Sequence, residues 1–158
     1  MILVINSPNA VRDWVNARLP RQSVGPCTAI GIVGGDGKPL AGVLYHTLDA
    51  AGLSVQPHVE MTIASESPSW CQRGVLAALF TYPFHQLKAR RVTATIARKN
   101  KRARKFVERL GFRLEGTLRK GWSAKGRDRD TIDDACIYGM FPETCRWIAA
   151  DDADRRAA

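Results

Sequence analysis

The sequence predicts one α/β domain, a single sheet with helices packed against it. Three observations lead there. Strand-like and helix-like segments follow one another in the order β-α-β-β-β-α-β-α-β-β, with no internal repeat, linker or low-complexity stretch. Two of the strand candidates are joined by Gly34-Gly35-Asp36-Gly37, a turn tight enough for an antiparallel hairpin. Two further segments, Ser69 to Leu79 and Asn100 to Arg119, read as α/β junctions in which a glycine marks the change of element. With 158 residues the chain is long enough to bury one substantial core, so residues 1–150 are expected to form the domain and 151–158 a frayed tail.

Taken in order, Ile2 to Ile5 is a short apolar strand, and Ser7-Pro8 supplies a helix cap with proline at the first helical position. Val11, Trp14, Val15 and Leu19 then recur at helical spacing until Pro20. Thr28 to Val33 and Leu40 to Thr47 are the hairpin strands. Gly52 to Ala64 is the next strand, with Pro57 marking a bulge, an edge or an interruption. Its alternation puts His58, Glu60, Thr62 and Ala64 on one face and Val59, Met61 and Ile63 on the other. A helix starts near Gln72 and carries Leu76, Leu79 and Phe80 to a break or kink at Pro83. Arg91 to Ala97 is a strand. Lys101 to Leu110 is an amphipathic helix that buries Ala103, Phe106, Val107 and Leu110 and stops at Gly111. Phe112 to Leu118 is a strand, Gly121 to Asp130 a polar loop, Asp134 to Met140 the last strand, and Cys145 to Ile148 a short terminal helix.

Composition narrows the function classes. No apolar run approaches the roughly 20 residues that span a bilayer. The start has no basic flank and no small-residue cleavage pattern, so a soluble, cytoplasmic protein without membrane contact is expected. Cys27, Cys71, Cys136 and Cys145 are widely spread with no C-x-x-C pair, so neither a disulfide nor a metal site is expected. The net charge of +9 is localised: Lys88 to Arg109 holds ten basic residues against Glu108, which equals the whole excess. Such a field attracts anions, either coenzyme phosphates or a nucleic-acid backbone.

Two patterns carry chemistry. Backbone N–H groups at a glycine-containing helix start bind phosphate, and Gln72-Arg73-Gly74-Val75 follows a strand in the right way. At the second helix start, Arg98, Lys99, Lys101 and Arg102 crowd the positive end of the macrodipole, where acids are the usual choice. That misplacement points to an anionic partner, against the plain alternative of a solvated basic face.

The run Asn100-x-x-Ala103-x-x-Phe106-Val107-Glu108-Arg109-Leu110-Gly111-Phe112-x-x-Glu115-Gly116-x-x-Arg119 resembles the signature of the GNAT-family N-acetyltransferases, in particular the ribosomal-protein alanine acetyltransferase branch. Element order agrees with that family from about Thr28 to Met140, and Asp134 to Trp147 is similar to its phage-encoded members. The resemblance implies the GNAT fold, an α/β (α+β) arrangement in which a mixed, mostly antiparallel sheet of about seven strands is splayed at the coenzyme site, with helices on both faces. It also implies acetyl-CoA as cofactor. The pantetheine would lie along Met61 to Ala64, with Met61 and Ile63 among its contacts. The pyrophosphate would sit on Cys71, Gln72, Arg73, Gly74, Val75 and Leu76, where Cys71 and Leu76 depart from the family pattern, and Asn100 would reach the coenzyme.

The reaction so implied is direct attack by a primary amine on the thioester, with a base on the splayed strand: Glu60 first, His58 second. Val107 stands where the family places a proton-donating tyrosine, which leaves water or another residue such as Tyr138 to protonate the sulfur. The short link Pro20 to Pro26 leaves the acceptor side open to a small amine, a protein terminus or an amine on modified nucleic acid. Two other readings stand beside this one. One is a nucleic-acid-binding GNAT-fold protein using Lys88 to Arg109, and the other a non-catalytic acyl-CoA-binding regulatory domain. A monomer or homodimer is expected.

Overall fold

A computed structural model of the protein describes residues 2–4, 7–19, 27–49, 56–124 and 130–148. Seven strands form one sheet: β1 (Ile2–Val4), β2 (Thr28–Val33), β3 (Pro39–Thr47), β4 (His58–Ser65), β5 (Arg91–Ala97), β6 (Arg113–Ala124) and β7 (Thr131–Met140). Their spatial order is β1-β2-β3-β4-β5-β7-β6. Every neighbouring pair is antiparallel except β4 and β5, which run parallel. The helices are α1 (Pro8–Asn16), α2 (Arg73–Thr81) and α3 (Lys101–Leu110).

The two-residue period of the strands divides the core between the two faces. Ala29, Leu44 and Ala64 meet Val15 of α1 on one side. On the other, Ile30, Val43, Tyr45, Val59, Met61, Val92 and Ala94 meet Val75, Leu76, Leu79 and Phe80 of α2 and Val107 and Leu110 of α3. Helices on both faces of a mostly antiparallel sheet are as expected, and no described helix is long and apolar enough to cross a membrane.

Pro83 shapes the end of α2 differently from a simple break. Having no N–H, it cannot donate to the carbonyl of Leu79 four residues back. That carbonyl instead accepts the buried hydroxyl of Tyr45 on β3, at 2.8 Å. The chain continues as a π-helical turn over Tyr82–Gln86, closed by Leu87 N–H donating to Tyr82 O at 3.0 Å. Burial raises the Tyr45 pKa well above its ordinary value, so the hydroxyl stays a donor.

Other expectations are corrected at the boundaries. Strand β4 begins at His58, after Pro57; most of the predicted earlier part lies outside the described residues, as does the predicted frayed tail. The Ser7 side chain makes no capping hydrogen bond. Strand β6 continues through Gly121 to Ala124, where a polar loop is predicted, because an irregularity between Leu118 and Trp122 shifts the pairing and restores the ladder beyond it. The predicted terminal helix at Cys145 to Ile148 is absent. Pro142–Thr144 forms a 3-10 turn, and the next residues serve the end of α3 instead. Trp147 Nε1 donates to Leu110 O at 2.6 Å and Arg146 donates to Arg109 O, so carbonyls left over at the helix terminus are met by side chains.

Candidate functional site

Strands β4 and β5 are paired over only three positions, His58 with Arg91, Val59 with Val92 and Glu60 with Thr93. Both then run on, β4 to Ser65 and β5 to Ala97, without further pairing to each other. The result is a V-shaped gap with Glu60 and Thr93 at its vertex. Because the two strands are parallel, their carboxyl ends lie at the open end of the V, and α2 and α3 each begin just beyond one of them. The buried Trp70, in the 3-10 turn Pro68–Trp70 between β4 and α2, packs edge-on to Phe106 of α3, with ring centroids 5.9 Å apart.

The α2 side of the mouth has exposed donors. Of the six loop residues singled out by resemblance, three have their N–H groups engaged: Cys71 to Pro68 O, Gln72 to Trp70 O and Leu76 to Gln72 O. Leu76 is also a core side chain, 4% exposed. The N–H groups of Arg73, Gly74 and Val75 have no acceptor among the described residues, and no side chain caps the helix. A side chain at Gly74 would meet nothing within 4 Å. Glycine inside a helix costs about 0.5–1 kcal/mol relative to alanine. Packing within the chain does not require it here, so Gly74 leaves room for something to approach the backbone. Cys71 lies half-buried beside this start, with its thiol pKa raised by burial.

The α3 side differs. Asn100 Oδ1 accepts from Ala103 N–H at 3.1 Å, and Asn100 O accepts from Arg104 N–H at 3.1 Å. Asn100 is thus the helix cap, and a contact from its side chain to a ligand must come through Nδ2. The preceding turn is tied to β7 by Lys99 N–H to Asp133 Oδ2 at 2.9 Å and by the Arg98–Asp134 ion pair at 3.0 Å.

At the vertex, His58, Glu60, Arg91 and Thr93 share the α1 face of the sheet, as the parallel register requires. His58 Nε2 lies 2.7 Å from the Thr93 hydroxyl, which also accepts from Arg91 Nε at 3.2 Å. With that lone pair occupied, the hydroxyl hydrogen can be donated to Nε2 of a neutral ring. Burial, and then the Arg91 charge, lower the His58 pKa below its ordinary value, which favours the neutral form. Arg91 is itself held by Glu115 over Gly139, where any Cβ would collide with both side chains. Glu60 makes no hydrogen bond or ion pair among the described residues and is half-buried. The Thr93–Arg91–Glu115 set was not anticipated from sequence. Two threonines, Thr93 and Thr95, interrupt the strand Arg91–Ala97, and of these Thr93 is the buried one, 3% exposed.

Tyr138 does not join this group. It pairs with Ala94, one residue beyond Thr93, so it points to the opposite face of the sheet. Its ring is wholly buried, and its hydroxyl accepts from Arg104 Nε at 2.9 Å and donates to Glu108 at 3.0 Å under α3. Burial raises its pKa, making it a weaker acid. In this arrangement the Tyr138 hydroxyl ties α3 to β7.

No protein-family model matches the sequence, and neither does any curated protein. Solved structures do resemble the fold. A variant of spermidine N-acetyltransferase from Vibrio cholerae superposes with a TM-score of 0.65 at 14% identity, over 89% of this chain and 95% of that one. A second variant of that enzyme gives 0.57 at 17%, over 73% and 64%. The ribosomal-protein-S5-alanine acetyltransferase from Vibrio fischeri gives 0.58 at 17%, over 77% and 63%. In the last two comparisons the chain spans less than two thirds of the neighbour's length. These neighbours are GNAT acetyltransferases, and the chain has the GNAT fold.

Proposed function

We propose that the protein is an acetyl-CoA-dependent N-acetyltransferase acting on a primary amine. The observation that carries this reading is the parting of β4 from β5 immediately after Glu60 and Thr93, with a helix that starts uncapped at the open end. Unpaired strand edges suit an extended amide-bearing arm, and uncovered N–H groups at a helix start suit phosphate. The residues present fit the coenzyme: Arg73, Gly74 and Val75 would hold the pyrophosphate, and the edge of β4 from Met61 to Ala64, including Ile63, would hold the pantetheine.

When bound, the coenzyme would supply the acetyl group as a thioester: the amine nitrogen would bond to the acetyl carbon as the carbon–sulfur bond breaks, and the proton the nitrogen then sheds would pass through water to the leaving thiolate. Glu60 takes the proton that an ammonium acceptor must lose first, directly or through water. It suits the task because its carboxylate has no hydrogen-bond or ion-pair partner among the described residues. His58 is a positioning residue in this reading, since its Nε2 is occupied by Thr93. Arg91 and Glu115 hold that threonine in place. The V holds the reacting groups close, and such positioning contributes heavily to rate on its own. The acceptor is a small amine or an amine of a protein, in line with the spermidine and ribosomal-protein-S5-alanine acetyltransferases among the structural neighbours.

The test is incubation with labelled acetyl-CoA and a panel of polyamines and peptides, scoring label on the acceptor and release of free thiol. The expected outcome is transfer that falls about 10²–10³-fold in Glu60→Gln while coenzyme binding is kept. Thiol release unchanged in Glu60→Gln would remove Glu60 as base. No transfer to any amine, with tight coenzyme binding, would favour an acyl-CoA-binding regulatory domain.

A further inference from the structure

Two sets of cations contrast among the described residues, while others, including the exposed Arg113, Arg119 and Lys120 of β6, belong to neither. Arg18, Arg90, Arg91 and Arg98 each face a carboxylate. Lys99, Lys101, Arg102, Lys105, Arg109 and Arg146 are all exposed, and none has an ion-pair partner among the described residues. These six follow α3 from end to end. Arg146 reaches the far end because its guanidinium donates to Arg109 O and stacks on Trp147, 4.6 Å from the ring. The acid on the helix, Glu108, is hydrogen-bonded to Tyr138.

As a helix, α3 loses more than it gains from this row. Lys101, Lys105 and Arg109 are like charges at successive i,i+4 spacings, each pair unfavourable by about 0.2–0.5 kcal/mol. The macrodipole favours Arg109 at the carboxyl end but disfavours Lys101 and Arg102 at the amino end. Nor does a coenzyme at the mouth of the V account for the row. At 1.5 Å per residue, Lys105 lies about 6 Å and Arg109 about 12 Å along the axis beyond Lys101, away from the helix start. The matching ligand is itself a line of negative charges.

We infer that the outer face of α3 is a docking surface for the phosphate backbone of nucleic acid. An anionic membrane is a poorer match, because surface-binding helices need an apolar face to insert. Here Phe106, Val107 and Leu110 are turned into the core, and the outward positions are charged. The inference does not rest on acyl transfer: it concerns a different face and survives if that reading fails.

The test is fluorescence anisotropy with a labelled 20-base-pair DNA duplex and a labelled 20-nucleotide RNA strand, each titrated between 50 and 200 mM salt. Engagement of about four or five phosphates gives a log–log slope near −4 on duplex and near −3 on single strand, and the stronger of the two identifies the source. The double variant Lys105→Glu, Arg109→Glu is expected to weaken binding at least tenfold and reduce the slope by about 2, leaving the acetyl-CoA thermal shift unchanged. Absence of binding at 50 mM salt, an unaffected double variant, displacement by saturating acetyl-CoA, or tighter binding to phosphatidylserine vesicles would each overturn it.

Discussion

The two helix starts at the open end of the V are alike in topology and opposite in chemistry. At α2, among the described residues, three N–H groups have no acceptor, no side chain caps the helix, and nothing lies within 4 Å of a Cβ at Gly74. At α3 Asn100 closes the first turn, the preceding residues are tied to β7, and Gly111 in the left-handed region (φ 111°) closes the far end. Phe112 N–H reaching Val107 O at 3.1 Å completes that second cap. A capped terminus is already satisfied and stabilises the fold, whereas an uncapped one keeps its donors for a ligand. Resemblance alone points the other way, since the firmer sequence match lies on α3 and the departures at Cys71 and Leu76 lie on α2. Those departures sit at positions whose N–H groups are engaged internally, so they leave the three open donors untouched.

The contrast can be broken by substitutions that separate binding from stability. Gly74→Asp places a carboxylate where phosphate would sit, and acetyl-CoA affinity should fall about 100-fold by calorimetry. Thermal stability without ligand should hold or rise slightly, since an acid suits a helix start. Loss of stability without loss of affinity would show Gly74 to be structural. Gly111→Ala forces a side chain into the left-handed region and should cost about 1–2 kcal/mol in urea unfolding while coenzyme affinity stays within twofold. Asn100→Ala removes the cap, at about 1 kcal/mol, or a melting temperature lower by roughly 2–4 °C. A tenfold loss of coenzyme affinity in that variant, with no change in melting temperature, would make Asn100 a ligand contact first and a cap second.

The smallest expected effect concerns pH. His58 has a folded pKa below its ordinary value, so the unfolded chain takes up a proton near pH 6.5 that the folded chain does not yet bind. Stability should therefore be complete above that pH and decline as pH falls below it. Comparing urea midpoints at pH 7.5 and 5 in the protein and in His58→Gln checks this, because the variant should lose part of the decline. An identical decline in both would assign it to other groups.

Local pattern made the element order legible: the glycine hairpin, the helical spacing of Phe106, Val107 and Leu110, and the alternation along β4 all hold in the structure. Glu60 and His58 were legible as neighbours on one face for the same reason. What was hidden depends on partners far away in sequence. Tyr138 is polar and aromatic on a strand near the site, but whether its hydroxyl faces the gap or α3 is settled by its register against Ala94. Thr93 becomes a partner of His58 only because β4 and β5 pair in parallel for three residues, 35 positions apart. The π-helical turn after α2 depends on Tyr45, 34 residues from the carbonyl it satisfies.

By itself, then, the sequence determined the order of elements, the face each buries and the location of the positive charge, because hydrophobic period, turn chemistry and charge are properties of neighbouring residues. The tertiary structure alone decided which helix start keeps its donors, which side chains meet at the vertex, and that the row of cations on α3 has no ion-pair partners among the described residues. Those are questions of hydrogen-bond and ion-pair satisfaction, and a donor's partner is known only once distant segments have been brought to within about 3 Å of it.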